Sequence, residues 1–330
     1  MNNKYVGIIG LGSYVPEKIM TNKDLEQVMD TSDEWIVERT GIHERHVAAD
    51  NEATSDLATK AAQKALEDAN ITAAEIDLII VATGTADMAF PATACLVQDN
   101  LRALNAAAFD VSAACSGFIY ALVTGSQFIK AGVYRKVLVI GAETLSRITD
   151  WSDRKTGMLF GDGAGAAVLG ETPEGYGILG VDLGANGSGA ELLKVPAGGS
   201  RNPATAETVL QKQHYIQMDG NEVFKFAVKI MGETTSKALQ SANLTHGDLT
   251  YLVPHQANIR IIKSAAKRLG LPMDQVVVNV DKYGNTSAAS VPIALDEAVK
   301  SGVIKPGDIV ALVGFGGGLT WASSIIKWYK

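Results

Sequence analysis

Continuous apolar runs and amphipathic stretches alternate along this chain. The segments 76–83 and 136–141 hold near-continuous apolar runs, the mark of strands covered on both faces, and 107–111 reads as a short buried strand. Further strands are predicted over 5–11, 164–169, 249–253, 276–280, 309–313 and 322–328. Helical patterning falls over 23–29, 33–39, 55–70, 118–131, 220–243, 258–269 and 287–301. Thr21 or Asn22 can cap the first of these helices, and Thr31 or Ser32 the second. The stretch 118–131 stands out, because Phe118, Ile119, Ala121, Leu122, Val123, Phe128 and Ile129 wrap most of its circumference. A helix apolar all round is a buried helix. Segments around Pro173 and over 196–206 read as loops, and Gly10-Leu11-Gly12 as the turn that ends the first strand.

The pattern repeats. Lys64-Ala65-Leu66-Glu67-Asp68-Ala69-Asn70-Ile71-Thr72 matches Lys237-Ala238-Leu239-Gln240-Ser241-Ala242-Asn243-Leu244-Thr245, and each is followed by Asp-Leu and an apolar strand. Lys130-Ala131-Gly132-Val133 likewise matches Lys300-Ser301-Gly302-Val303. Both offsets are near 170. Two related α/β halves follow, 1–172 and 173–330, in keeping with a length of 330 residues. At that offset Cys115 falls on Asn285, so both head a central helix.

Composition narrows the class. Apolar residues make up 47% and charged residues 20%, enough to bury a large core, and 33 glycines imply many tight turns. No apolar run approaches the ~18 residues of a membrane span. The start Met1-Asn2-Asn3-Lys4 leads directly into a strand, with no visible signal peptide, which suggests a cytoplasmic protein. A net charge of −7 argues against non-specific nucleic-acid binding. The two cysteines, Cys95 and Cys115, could pair, but a reduced thiol enzyme fits better.

Cys115 lies in Val111-Ser112-Ala113-Ala114-Cys115-Ser116-Gly117-Phe118, between a strand and the buried helix. Free N–H groups and the positive dipole end there favour a thiolate, and the small neighbours leave room for a ligand. The same place would also suit an inert packing cysteine. His255, in Val253-Pro254-His255-Gln256-Ala257-Asn258, ends a strand of the second half, where α/β proteins place ligand groups. Asn285 lies in Lys282-Tyr283-Gly284-Asn285-Thr286-Ser287, and Gly314-Phe315-Gly316-Gly317-Gly318 would let backbone donors approach a ligand. Cysteine, histidine, asparagine and a glycine-rich donor loop together suit thiol acyl transfer.

These motifs, with Leu159-Phe160-Gly161-Asp162-Gly163-Ala164-Gly165-Ala166 and Gly317-Gly318-Leu319-Thr320-Trp321, resemble those of the β-ketoacyl-acyl-carrier-protein synthase III family over nearly the whole chain. Those enzymes initiate type II fatty acid synthesis. The resemblance implies the thiolase-like fold, a duplicated α/β half with two mixed sheets and helices in five layers (αβαβα). It implies that Cys115 takes an acyl group from acyl-CoA, with the N–H groups of Cys115 and Gly317 holding the oxyanion. His255 and Asn285 would then stabilise the enolate as malonyl-acyl carrier protein loses CO2. It implies that Thr31, Trp35, Arg39, Arg154 and Asn258 contact coenzyme A, with adenine between Trp35 and Arg154. Phe90, Leu145 and Phe160 would shape the acyl pocket, Phe90 reaching across a homodimer interface. Lys225, Arg260, Lys267 and Arg268 would dock the acidic carrier protein, and the helix after His255 is suited to this, with Arg260, Lys263 and Lys267 on one face and no acid between 258 and 270. Neither a metal nor a redox cofactor is implied, and no membrane or nucleic-acid partner. Elongating synthases of this fold use two histidines, and thiolases use a second late cysteine; Asn285 and the absence of any cysteine after Cys115 set this chain apart.

Rival readings are a condensing enzyme with another acyl acceptor (a polyketide-starter or quinolone-type synthase), an NAD-binding module on Gly10-Leu11-Gly12, and a papain-type hydrolase. The last is disfavoured, since its cysteine lies near the mature N-terminus and its fold is not duplicated. His43 and His46 have a spacing that could bind metal, though a solvated loop is the simpler reading, and Asp162 reads either as catalytic or as the cap of its glycine turn.

Overall fold

The structure, a computed structural model, describes residues 4–330; the chain start at 1–3 lies outside the described residues. Two mixed sheets carry the fold. The first runs in the order Val6–Tyr14, Asp162–Glu171, Val137–Thr144, Leu78–Ala82, Ala107–Val111. The last three strands are parallel, and the first two are antiparallel to their neighbours. The second sheet runs Tyr251–Pro254, Ile309–Gly316, Thr320–Lys327, Gly177–Ala185, with the same alternation of senses and one strand fewer.

The helices Gly117–Lys130 and Ser290–Lys300 lie between the sheets. Phe118, Ile119 and Leu122 from one, and Val291, Ala294 and Leu295 from the other, share a core with strands of both. Helices Thr54–Ala69 and Thr93–Asn100 cover the outer face of the first sheet, and Gly220–Ser241 and Ile259–Leu269 that of the second. The result is the five-layer, thiolase-like arrangement. At the seam between the halves, clearances are small. A Cβ on Gly141 would stand 2.2 Å from the Ala288 carbonyl oxygen.

Several expectations change. Gly10 and Gly12 do not end a strand but sit inside Val6–Tyr14, because helix Thr54–Ala69 presses on them; a Cβ at Gly12 would meet Ala61 O at 2.4 Å. With no turn there, the dinucleotide reading falls. Residues 276–280 form no strand, only a bridge between Leu252 and Val276. Gln256 takes up the main-chain groups a ladder would use. Its Oε1 accepts from Asn279 and Val280 N–H at 2.9 and 3.1 Å, and its Nε2 donates to the Val277 carbonyl at 3.0 Å. The chain then turns into the short helix Val280–Tyr283. The first helix is only Asn22–Leu25, closed by a Thr21–Asp24 capping box.

The repeat is also out of step by one turn. The outer helices match at an offset of 173, and the central helices at 170 near their ends, because Ser290–Lys300 has 11 residues and Gly117–Lys130 has 14. The two helix heads correspond through Ala114 and Ser287, whose φ values are +46° and +47° and each of which opens a 3₁₀ turn. Cys115 therefore corresponds to Ala288, and Asn285 lies three residues ahead.

Candidate active site

Cys115 and His255 each lie past the carboxyl end of a strand, whereas Asn285 follows the short helix Val280–Tyr283. Cys115 follows Ala107–Val111 and is 8% exposed, on a 3₁₀ turn leading into the central helix. Ser116 Oγ donates to Ala113 O at 2.7 Å, and Thr320 Oγ1 donates to the same carbonyl at 2.9 Å, which ties this turn to the second sheet. The glycine stretch runs further as strand than its sequence suggests, to Gly316. A Cβ on Gly316 would lie 2.5 Å from Cys115 N, and one on Gly314 3.0 Å from Cys115 O, so only glycine lets this backbone reach the nucleophile turn.

His255 follows Tyr251–Pro254 and is 1% exposed. Gln256 N–H donates to Ser290 Oγ at 2.6 Å, which leaves the Ser290 proton for His255 Nδ1 at 3.0 Å. That network assigns the ring proton to Nε2. Burial pushes the imidazole pKa down to about 3, so the ring is neutral. Phe315 meets it edge-on at 5.4 Å. Asn285 is held on both sides, its N–H donating to Leu159 O at 2.8 Å and its carbonyl accepting from Gly161 N–H at 3.1 Å. Its Oδ1 accepts from Ser287 N–H at 2.9 Å, leaving the amide N–H groups free to donate. The buried residues of the site thus include a neutral Nε2–H donor, an amide donor and a thiol.

The cysteine departs from expectation. Its thiol is pushed up to about 12, burial being the main cause and Glu143 adding to it. Asp162, one of the two readings of the glycine turn, is structural. Its carboxylate accepts from Ala48 N–H at 2.7 Å and from Ser146 N–H at 2.8 Å, pinning two loops. Cys95 and Cys115 are both free thiols, and Cys95 is exposed. His46 packs on Tyr283 at 5.5 Å, with Nδ1 against the Pro16 carbonyl.

Trp35 and Arg154 do meet, but face to face, with the guanidinium 3.9 Å from the ring centroid; Arg39 lies over the same ring at 4.6 Å. No aromatic ring fits between groups that close. Ser32 rather than Thr31 caps the Trp35 helix, and Thr31 Oγ1 is left buried with no partner. Asn258 caps helix Ile259–Leu269 through Arg260 N–H at 2.8 Å and donates to Arg39 O at 2.9 Å, joining the Trp35 helix to the one that follows His255. Leu145 and Phe160 are buried, and Phe160 bridges to Asn285, whereas Phe90 is 83% exposed. Arg260, Lys263, Lys267 and Arg268 are all exposed. Arg260 lies over Phe224 at 5.5 Å, and Lys225 pairs with Glu222 at 2.6 Å. Sequence patterning missed Glu143, Gln256, Ser287 and Ser290, all of them buried polar residues of this centre.

The family model described as 3-oxoacyl-[acyl-carrier-protein] synthase III matches residues 109–187, and that of its C-terminal part matches 239–328. A β-ketoacyl-[acyl-carrier-protein] synthase III of Caldanaerobacter subterraneus subsp. tengcongensis is 63% identical over 324 residues, 98% of each chain. Among solved structures, 3-oxoacyl-[acyl-carrier-protein] synthase III from Aquifex aeolicus superposes with a TM-score of 0.90 at 48% identity, covering 98% of this chain and 100% of its own. The priming β-ketosynthase of the R1128 polyketide pathway superposes with a TM-score of 0.92 at 38% identity, covering 99% and 97%. With the fold, the site and these relatives in agreement, the chain belongs to the β-ketoacyl-[acyl-carrier-protein] synthase III family.

Proposed function

We propose that this protein condenses an acyl-CoA primer, acetyl or short and branched, with malonyl-acyl carrier protein, giving 3-oxoacyl-acyl carrier protein, CO2 and CoA, and so initiates fatty acid synthesis. What carries this reading is that Cys115, His255 and Asn285 are each buried, with His255 neutral and the Asn285 Oδ1 committed to Ser287 N–H so that its amide can donate. Cys115 takes the acyl group. Its own N–H and that of Gly317 hold the tetrahedral oxyanion, supported by the glycine backbone lying against the nucleophile turn. His255 and Asn285 then donate to the thioester oxygen of the malonyl group as CO2 leaves and the carbanion attacks the acyl-cysteine. Loss of CO2 leaves the electron pair on the carbon, so no proton need leave it and two neutral donors suffice. The scheme calls on no metal and no redox cofactor. Identity to the priming polyketide synthase, 38%, is below that to the Caldanaerobacter and Aquifex synthases III, 63% and 48%, which favours the latter.

The catalytic groups divide between halves 1–172 and 173–330. Coenzyme A lies over Trp35, with Arg154 lifting from the ring to admit adenine and Arg39 and Asn258 alongside; the unpartnered Thr31 hydroxyl offers a donor there. Leu145 and Phe160 shape the acyl pocket. The carrier protein docks on Lys225, Arg260, Lys267 and Arg268. Two copies pair through the open edge of Ala107–Val111, with the exposed Phe90 reaching into the partner. Among the described residues no helix is long and apolar enough to cross a membrane, and we place the enzyme in the cytoplasm. Mass spectrometry after mixing with acetyl-CoA tests the reading. An acetyl adduct on Cys115, discharged to 3-oxoacyl product only when malonyl-carrier protein is added, supports it. Adduct turnover by water alone, or no adduct, overturns it.

A further inference from the structure

Beside Cys115 lies a carboxylate that this scheme does not use. Glu143, in strand Val137–Thr144, is 0% exposed. Gly84 N–H reaches its two oxygens at 3.2 and 3.1 Å, Thr85 Oγ1 donates at 2.6 Å, Ser287 Oγ donates at 2.9 Å, and Ala288 N–H also donates. Thr85 Oγ1 itself accepts from Thr144 N–H at 2.9 Å, so its proton points at Glu143. The surrounding donors favour the carboxylate form and oppose the burial that pushes its pKa up. Among the described residues no lysine or arginine pairs with it. Thr83, Gly84 and Thr85 on one side and Ser287 and Ala288 on the other bring only hydroxyls and amides, and Asp162 on the neighbouring strand turns to Ala48 and Ser146. The titratable group that Glu143 faces is Cys115, and the Ser287 hydroxyl, whose proton goes to Glu143, lies close to the Cys115 thiol as well.

We propose that Glu143 takes the Cys115 proton during acyl transfer, through the hydroxyl of Ser287. The S–H bond breaks, its proton passes to Ser287 Oγ, and the proton of Ser287 passes to Glu143. The electron pair stays on sulfur and attacks the acyl carbon. Collapse of the tetrahedral adduct breaks the bond to CoA sulfur, and the departing thiolate recovers the proton along the same path, returning Glu143 to the carboxylate. Thiolate and carboxylate never coexist, so their repulsion never has to be met. His255 is the weaker candidate, being held neutral with Nδ1 committed to Ser290. Glu143 acts through Ser287 and does not itself touch the substrate.

The inference rests on the acyl-transfer reading above, and acylation is therefore measured apart from decarboxylation. Ser287→Ala and Glu143→Gln should slow acylation of Cys115 by acetyl-CoA about 10²-fold, while CO2 release from malonyl-carrier protein stays within a few-fold of wild type. Wild-type acylation should fall on the acid side as Glu143 takes its proton from solvent. Glu143→Asp should keep that limb, and Glu143→Gln should lose it. If Glu143→Gln does not fold, Ser287→Ala decides, since Ala replaces Ser at the same φ. Wild-type acylation rates and pH profiles in the variants would overturn the relay, as would equal losses in both half-reactions. A wild-type protein that forms no adduct would instead overturn the acyl-transfer reading.

Discussion

At Cys115 two effects oppose each other. A helix N-terminus stabilises a negative charge by ~0.3–1 kcal/mol, less than one pKa unit. Full burial shifts a titratable group by up to ~3–5 units the other way. Burial is the larger, and the thiol is driven up to about 12. The sequence shows the helix and not the depth of the pocket, so position alone suggests the wrong direction. Alkylation by iodoacetamide should still accelerate above the free-thiol value of ~8.5, and acetyl-CoA should protect; a plateau below that pH would put the helix in charge. His255→Ala and Asn285→Ala should each lower CO2 release from malonyl-carrier protein by ~10²–10³ and spare part of the acylation. Undiminished CO2 release would remove both from that step. Cys115, His255 and Asn285 were legible because each sits in a stretch of unusual composition, the first two past a strand end. Glu143, Gln256, Ser287 and Ser290 were not, since the contacts Glu143–Ser287, His255–Ser290 and Gln256–Val277 span 21 to 144 residues and nothing local marks them.

Among the elements, the helix Ile259–Leu269 kept closest to its pattern. Ile261, Ile262, Ala265, Ala266 and Leu269 are buried, and the basic residues face out. Charge reversal at Arg260 and Lys267 should raise the KM for malonyl-carrier protein strongly and leave acetylation by acetyl-CoA little changed. The effect should shrink with salt, as steering is screened over ~8 Å at physiological ionic strength. Equal damage to both half-reactions would mean a misfolded helix rather than a lost docking surface. Periodicity served where burial on one face decided the element. It failed at 276–280, where apolar residues have their ladder partners taken by one glutamine side chain. It also failed at Gly10 and Gly12, where glycine signals a close-packed helix rather than a turn.

Across the whole molecule the duplication was legible, but its register was not, because the central helices differ in length by one turn and a single offset cannot align both ends. The heads of those helices carry different cargo, a nucleophile on one and the Asn285–Ser287 donors on the other. Where they meet, the clearance at Gly141 is smaller than a methyl group. A side chain at 141 would act as a lever on the turn 287–289, prising it from the first sheet and carrying Ser287 off Cys115. Gly141→Ala should therefore cost both half-reactions more than it costs melting temperature, since each sheet keeps its own outer helices. Among the described glycines the smallest clearance falls on this backbone gap, and activity is the most sensitive gauge of it.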